Sequence, residues 1–554
     1  MALKFRSVVS LANRKLPIKW AAVILASSTL LSALLGIFRD RWLNTLYLDT
    51  YPAGIDAYTV AFTIPDFMFF ILVTGALSVT FIPVFNQRLA TGNKKSAWEL
   101  SSGLLNLMAL VMLVASVLIM IFADPLVRYV VGPGLNEEAM ALAINMMRVI
   151  AINPFLFAVS TVLSSIQQAV GRFVFFAIAP ALYNIGILIG ILWFTNGINL
   201  FGWQIFDGGI MGVALGVVLG AVLQLLVSLL GVVGLGFDYQ FKLNLRNLGL
   251  RQVLKLLPAR SLDQGIDYVN SIVNVNLASR MGSGVIRAYN QAFSLQQMPV
   301  NLIGVAISTA FFPKLTEDIG EGSEQRFTDT LRVALRTIIW LSMPVAIIAF
   351  FARGYIVSFI KNGGSMLISS ILGAFVISIF CRSVFHIAAR GFYAKQDTKT
   401  PMIVSFIAIG LNIGLAVLFA MVLHWGPESL AMAQSIGAVV EIVILLTILQ
   451  LKSKGLLLNK VFWRETFKTV VASVIAGCIT YSMVRFLPFM ETDNSFLAVF
   501  PKFTLIVSSG ILAYLISGYI MGVDEAHAVM DRVKKIVFRN VKTTSSNSDD
   551  ESQA

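Results

Sequence analysis

Apolar runs of about twenty residues recur from one end of the chain to the other, separated by short polar loops. A run of that length is what a helix needs to cross a bilayer. The pattern predicts fourteen spans, at 20–38, 61–85, 100–122, 146–168, 173–194, 208–235, 258–280, 288–313, 331–352, 366–388, 401–424, 428–451, 466–487 and 496–522. No small-residue cleavage site follows the first run before Arg39-Asp40-Arg41, so it reads as a retained helix and not a removed leader. The predicted fold class is an all-α polytopic membrane protein.

One span breaks the apolar pattern. Residues 258–276 read PARSLDQGIDYVNSIVNVN and carry Arg260, Asp263, Asp267, Asn270 and Asn274. The spacing alternates between three and four, which places all five on one stripe of a helix. A charge in hydrocarbon costs several kcal/mol, so this stripe faces protein or water. It reads as the wall of a polar cavity; the plainer reading is a buried network tying helices together.

The chain also repeats itself. Ala57-Tyr58-x-x-Ala61-Phe62 recurs as Ala288-Tyr289-x-x-Ala292-Phe293, and Leu77-Ser78-Val79-Thr80-Phe81-Ile82-Pro83 as Ile307-Ser308-Thr309-Ala310-Phe311-Phe312-Pro313. Leu182-Tyr183-Asn184-Ile185-Gly186 recurs as Gly410-Leu411-Asn412-Ile413-Gly414, and Gly220-Ala221-Val222-Leu223-Gln224 as Gly437-Ala438-Val439-Val440-Glu441. The offsets, 231, 230, 228 and 217 residues, keep their order and shrink slowly. Spans 1–6 and 7–12 therefore read as two copies of one unit. Six spans is an even number, so both copies have the same topology, a parallel repeat typical of transporters that work by alternating access. The expected organisation is a basic cytoplasmic N-terminus (1–19), a first lobe (20–236), a cytoplasmic linker (237–257), a second lobe (258–452), two further spans (453–523) and a polar cytoplasmic tail (524–554).

Composition narrows the picture. Only 13% of residues are charged against 57% hydrophobic, where a soluble domain carries about 25% charged residues. The net charge of +13 therefore concerns topology, not nucleic acid. Lys and Arg number about 30 in the termini and alternate loops against about 10 in the others, which orients both ends to the cytoplasm. Cys381 and Cys478 lie far apart in apolar segments and suggest neither a disulfide nor a metal site. There is no Walker A loop, HExxH or GxSxG, so the chain does not read as an enzyme, and no metal or other cofactor is implied.

Candidate chemistry then lies in the intramembrane polar residues. Arg39, Asp40 and Arg41 end the first span, as a cavity group or an interfacial cluster. Asp56 precedes the second span, with a helix N-cap as the plainer reading. Asp66 follows Pro65 and could cap a restarted helix. Asn184 and Asn412 occupy equivalent places, as do Gln224 and Glu441; paired Asn residues more often glue helices than bind ligand. Arg382 and His386 sit four apart on the tenth span and suit an anionic ligand or a proton-linked step, unless Arg382 pairs with Asp263, Asp267 or Glu441. Arg280 and Arg287 flank an outer loop and read as solvated.

Leu35-Gly36-Ile37-Phe38-Arg39-Asp40, then Asp56-Ala57-Tyr58-x-x-Ala61-Phe62-x-Ile64-Pro65 and Gly75-Ala76-Leu77-Ser78-x-x-Phe81-Ile82-Pro83, resemble the amino-terminal signature of the MurJ (MviN) lipid II flippases. Residues 390–401, RGFYAKQDTKTP, resemble the loop this family carries between its tenth and eleventh helices. Gly132-Pro133-Gly134 and Ala179-Pro180-Ala181-Leu182-Tyr183-Asn184 fit as well, and the likeness covers roughly 20–450. It implies the MOP exporter (MATE-like) fold, two six-helix lobes plus two helices that form a lipid groove. The implied substrate is the undecaprenyl-diphosphate-linked peptidoglycan precursor, moved from the inner to the outer leaflet of the bacterial cytoplasmic membrane. Implied partners are that lipid-linked precursor and membrane lipids, with cell-wall synthesis proteins left open. The implied drive is the membrane potential or a coupling ion, Na+ or H+.

The sequence departs from the family pattern where many members carry cavity arginines: Ala33, Phe69 and Ser294 stand there, and Thr74 replaces a common glutamate. Arg39, Arg41, Asp56, Arg260, Arg382 and His386 are the candidates for a headgroup and diphosphate cavity. Asp263, Asp267, Asn412 and Glu441 are the candidates for cation or proton coupling. A multidrug or other lipid-linked oligosaccharide exporter on the same fold, and a scaffold that transports nothing, remain the alternatives.

Overall fold

A computed structural model of the chain describes residues 18–74, 81–200, 203–242, 247, 250–251, 265, 268–490 and 493–538. Thirteen described helices are long and apolar enough to cross a membrane, and each falls on one of the fourteen expected spans. The remaining span, the seventh, is described as a helix only over 268–279; Arg260, Asp263 and Asp267 lie outside the described residues. The chain divides into two compact units, Met1–Arg287 and Ala288–Ala554. Helix 268–279 thus falls in the first unit, although the repeat in the sequence groups its span with the second copy.

In the first unit, the helices are α1 (Ile18–Tyr47), α2 (Pro52–Phe69), α3 (Ile82–Ala90), α4 (Lys94–Pro125), α5 (Glu137–Ile150), α6 (Asn153–Ala169), α7 (Val174–Leu192), α8 (Met211–Val232) and α9 (268–279). Local sequence sets their ends. The Asn93 side chain accepts from the Ser96 amide and starts α4 well before its apolar run, and Asn136 does the same for α5. Pro154 sits in the first turn of α6, where its missing N–H costs nothing. A small antiparallel ribbon, Ile198–Leu200 with Trp203–Phe206, joins α7 to α8. The apolar pattern gave no hint of it.

Glycines hold α7 and α8 together. A Cβ on Gly186 would stand 2.3 Å from the Gly220 Cα, and one on Gly190 2.6 Å from the Gly216 Cα. Gly186-xxx-Gly190 therefore faces Gly212-xxx-Gly216-xxx-Gly220, and the backbones touch. In a bilayer, where burial of apolar side chains drives little association, such close approach is a main source of helix–helix attraction.

The second unit contains α10 (Val285–Pro299, whose first turn is counted with the first unit), α11 (Ala306–Gly320), α12 (Glu324–Ser358), α13 (Met366–Ala394), α14 (Lys399–Val417), α15 (Glu428–Lys452), α16 (Lys460–Phe486), α17 (Phe496–Ile520) and α18 (Asp524–Phe538). Its largest core cluster packs Leu331, Leu335 and Ile338 of α12 against Val384, Ile387 and Phe392 of α13 and Leu445 and Leu449 of α15. The two spans beyond the repeat, α16 and α17, pack on α12.

Both units interrupt a membrane helix in the same way. Phe70–Thr74 continues α2 as a π-helical turn, and Val300–Val305 joins α10 to α11 as another. They lie about 230 residues apart, the offset of the sequence repeat. A π turn widens the helix by one residue per turn and often marks a working site.

Candidate functional site

The first unit gathers its polar residues around one carboxylate. Asp40 Oδ1 accepts from Arg39 Nε at 3.2 Å, Arg39 Nη2 at 3.1 Å and Arg287 Nη2 at 3.1 Å. The rest of Arg39 is used as well, since its Nη1 donates to Asn184 Oδ1 at 3.0 Å. Asn184 in turn donates to the Ser32 hydroxyl and to the carbonyls of Ser32 and Pro180. Arg287 Nε donates to Asn44, one helical turn from Asp40 on α1. Arg287 is therefore buried, 8% exposed at its side chain, and not solvated as its place beside a loop suggested. Arg280 is exposed, as expected.

Asp56 is completely buried. Its carboxylate accepts from the backbone amides of Gly284, at 2.5 Å, and Arg287, at 2.8 Å. It is indeed a helix cap, but it caps the first turn of α10 across 228 residues of sequence and not the start of its own helix. Two unsatisfied amides of that turn are thereby paired with a negative charge. Arg41, two residues on from Arg39, points to a different side of α1 and is half-buried.

Asp66 does not restart a helix. The α2 helix runs unbroken through Pro65 to Phe69. Asp66 is half-buried and makes no hydrogen bond or ion pair among the described residues, and its charge reaches the Tyr58 and Tyr183 hydroxyls. Beside it, Phe69 packs edge-on against Phe70 and tilted against Phe157, so an aromatic cluster stands where many relatives are expected to carry an arginine. Tyr268 of α9 stacks on Phe70 at 4.6 Å, at the first residue of the π turn. In the described part of the polar stripe, Asn274 donates to Asn270, and both are buried.

In the second unit the balance is reversed. Arg382 occupies the middle of α13, is half-buried, and forms no hydrogen bond or ion pair among the described residues; its buried Nε has no acceptor. Arg382 does not pair with Glu441; Asp263 and Asp267, the other partners that the sequence offers it, lie outside the described residues. Glu441 is buried and accepts from the Ser405 hydroxyl at 2.6 Å. The Arg382 charge is felt at the Tyr289 hydroxyl and, together with Arg390, at the His386 imidazole. Tyr289 itself donates to Gln434 at 3.0 Å.

The π turn positions this group. A Cβ on Gly304 would stand 2.7 Å from the Ser383 Cα and 3.1 Å from His386 Cδ2, so only glycine lets the turn press against α13 between Arg382 and His386. Asn412 is buried on α14 against Gly437, with a Cβ there 3.2 Å from its own. This crossing of α14 and α15 occupies the place of the Tyr183–Gly220 contact between α7 and α8 in the repeat.

The signature loop after α13 is a clasp. Lys395 Nζ bonds Glu324 at 2.6 Å, and Lys452 Nζ bonds Asp397 at 2.6 Å. Asp397 also accepts from the Thr400 amide and hydroxyl. The Lys452 ammonium, then the Thr400 amide, hold the Asp397 carboxyl at about 2.

An arginine without a partner among the described residues and a histidine in one membrane unit, with an acid equally without one in another, are means of binding and moving charge through a bilayer. Solved transporters share this fold. A structure described as the lipid II flippase MurJ in an inward closed conformation aligns over 94% of this chain and 99% of its own, with a TM-score of 0.71 at 22% identity. An inward-facing multidrug resistance MATE transporter of the MOP superfamily aligns over 79% of this chain and 99% of its own, at TM-score 0.63 and 16% identity. The molecule is thus a multi-pass membrane protein with the MOP exporter fold.

The family model described as lipid II flippase MurJ matches residues 52–500, and the chain belongs to that family. Similar relatives include the probable lipid II flippase MurJ of Bdellovibrio bacteriovorus, 26% identical over 93% of this chain and 96% of its own. Another is the lipid II flippase MurJ of Burkholderia cenocepacia, 26% identical over 84% of this chain and 90% of its own.

Proposed function

We propose that this protein flips lipid II, the polyprenyl-diphosphate-linked peptidoglycan precursor, from the inner to the outer leaflet of the bacterial cytoplasmic membrane. Both termini are on the cytoplasmic side in this reading. The observation that carries the mechanism is Arg382 in the middle of α13, which has no hydrogen-bond or ion-pair partner among the described residues. A lone guanidinium at that depth costs about 3 kcal/mol even on the mildest insertion scale. An anionic ligand in a hydrated cavity offsets that cost, and a diphosphate matches the fork of a guanidinium.

In this account Arg382 and His386 hold the diphosphate, and the close approach of Gly304 to Ser383 and His386 sets their positions. Arg39 and Asp56 act one step removed, by building the Asp40–Arg287 frame. Arg41, and Arg260 on the polar stripe, add positive charge. Asp66, half-buried and without a partner among the described residues, joins Asp263, Asp267, Asn412 and Glu441 as a group for Na+ or H+ coupling, with the membrane potential as the other source of drive. Asp66 does not stand out as a site residue in the sequence, because Pro65 before it suggests a mere helix restart. Besides the precursor, the partners in this reading are membrane lipids and cell-wall synthesis proteins.

Complementation tests the reading. The chain is expressed in cells depleted of their own lipid II flippase, and outer-leaflet lipid II is measured with an externally added enzyme that cleaves it. Restored growth together with cleavable lipid II in the outer leaflet is the expected result. A well-inserted chain that restores neither, beside a relative that restores both, overturns it in favour of another cargo on the same fold.

A further inference from the structure

The second unit contains a cavity of ≈ 540 Å³ bounded by α12, α13 and α15. That is within the range of roughly 300–1,000 Å³ usual for small-ligand sites. Its long walls are apolar. Ile377 of α13 and Met432, Ile436 and Val439 of α15 line it, and all four are exposed. The α15 positions fall at intervals of four and three, on one face of the helix.

The charged residues lie toward one end. Arg353 lies near the end of α12 and Glu428 opens α15, so both mark the same face of the membrane. That face is opposite the clasp formed by Lys395, Asp397 and Lys452. The Arg353 guanidinium lies 4.7 Å from the Phe350 ring centroid, and its Nη1 donates to the Phe350 carbonyl. Gly373 makes room for it, since a Cβ there would stand 3.3 Å from Arg353 Cδ. Arg353 and Glu428 form no ion pair with each other or with any other described residue. Each charge therefore faces the cavity without a counter-ion.

We infer that this cavity binds a phospholipid with a phosphoethanolamine headgroup. A single arginine would take any lipid phosphate. A carboxylate lining the same cavity, without a partner among the described residues, repels a headgroup whose charges are all negative and attracts one that also carries a primary ammonium. Phosphatidylethanolamine carries both charges, and its acyl chain suits the trough from Ile377 to Val439. The orientation given above places this lipid in the outer leaflet. The inference needs only that the chain spans a membrane, and it stands apart from the identity of the transported cargo.

The test is native mass spectrometry of the full-length protein, released from micelles with equal amounts of phosphatidylethanolamine and phosphatidylglycerol. The parent should retain one phosphatidylethanolamine at about tenfold greater abundance than phosphatidylglycerol, a difference of about 1.4 kcal/mol. Glu428→Gln should erase that preference, and Met432→Trp should remove the adduct by filling the trough. If Met432→Trp does not yield folded protein, Ile377→Trp blocks the opposite wall. Equal retention of the two lipids by the parent overturns the inference. So does an undiminished phosphatidylethanolamine adduct in a folded trough-filling variant.

Discussion

The two units use arginine in opposite ways. In the first, Arg39 and Arg287 share the Asp40 carboxylate, further donors go to Asn184 and Asn44, and the acid Asp66 has no partner among the described residues. In the second, Glu441 is buried and bonded to Ser405, and in the middle of α13 the cation Arg382 has no partner among the described residues. Matching sequence motifs recur in both, so the motifs alone do not explain the difference. It teaches that the number of charges in a membrane span says little about function. What matters is whether each charge has its counter-charge within the fold. A satisfied arginine is structural, whereas an unsatisfied one needs water or a ligand.

The strongest way to break this comparison is to remove the hub of the satisfied network. Asp40→Ala leaves two arginines without their carboxylate, and losing one partner of a buried pair costs about 3–5 kcal/mol. The expected outcome is a large fall in folded yield and melting temperature, measured by fluorescence-detected size exclusion on heating. Arg382→Gln should do the reverse, leaving the melting temperature near the parent's. Its lipid II affinity should fall roughly tenfold to a hundredfold, from the loss of one charge-assisted hydrogen bond of about 1.5–3 kcal/mol.

Smaller effects sharpen the picture. Gly304→Ala forces the π turn away from Ser383 and His386, and overpacking of this kind costs about 1–3 kcal/mol. Transport should fall with it, read by the same cleavage of outer-leaflet lipid II. Asp66→Asn should flatten the dependence of transport on the coupling cation or on pH while leaving expression unchanged, as measured in vesicles under imposed gradients.

The smallest effect belongs to the clasp. Asp397 is held at about 2, below the value of about 4 for a free aspartate. A depressed folded value means that the carboxylate's contribution to stability is complete above about pH 4 and is lost as the pH falls toward 2. Lys452→Gln should weaken that acid sensitivity and cost under about 1 kcal/mol at neutral pH, because the pair is partly exposed. Acid titration of the melting temperature checks it.

Much of this was legible in the sequence. Twenty-residue apolar runs placed the spans, and the repeat paired Tyr58 with Tyr289 and Asn184 with Asn412, because both signals are local or periodic. Arg382 and His386 were legible too, since a four-residue spacing fixes a shared helix face. What could not be read was partnership. Asp56 finds its amides 228 residues away, and Arg287 is buried only because Asp40 and Asn44 sit one turn apart on another helix. The π turns were hidden as well. They follow ordinary helix-forming sequence, and a single inserted residue leaves the hydrophobic period almost unchanged.

The most direct measurement compares Arg382→Gln with Arg39→Gln in flippase-depleted cells, scoring outer-leaflet lipid II and the melting temperature of each purified protein. The account predicts that Arg382→Gln keeps its melting temperature and no longer delivers lipid II to the outer leaflet. It predicts that Arg39→Gln melts lower, and that what remains folded still transports. An Arg382→Gln protein that inserts, melts like the parent and exposes lipid II at the parental level would contradict it.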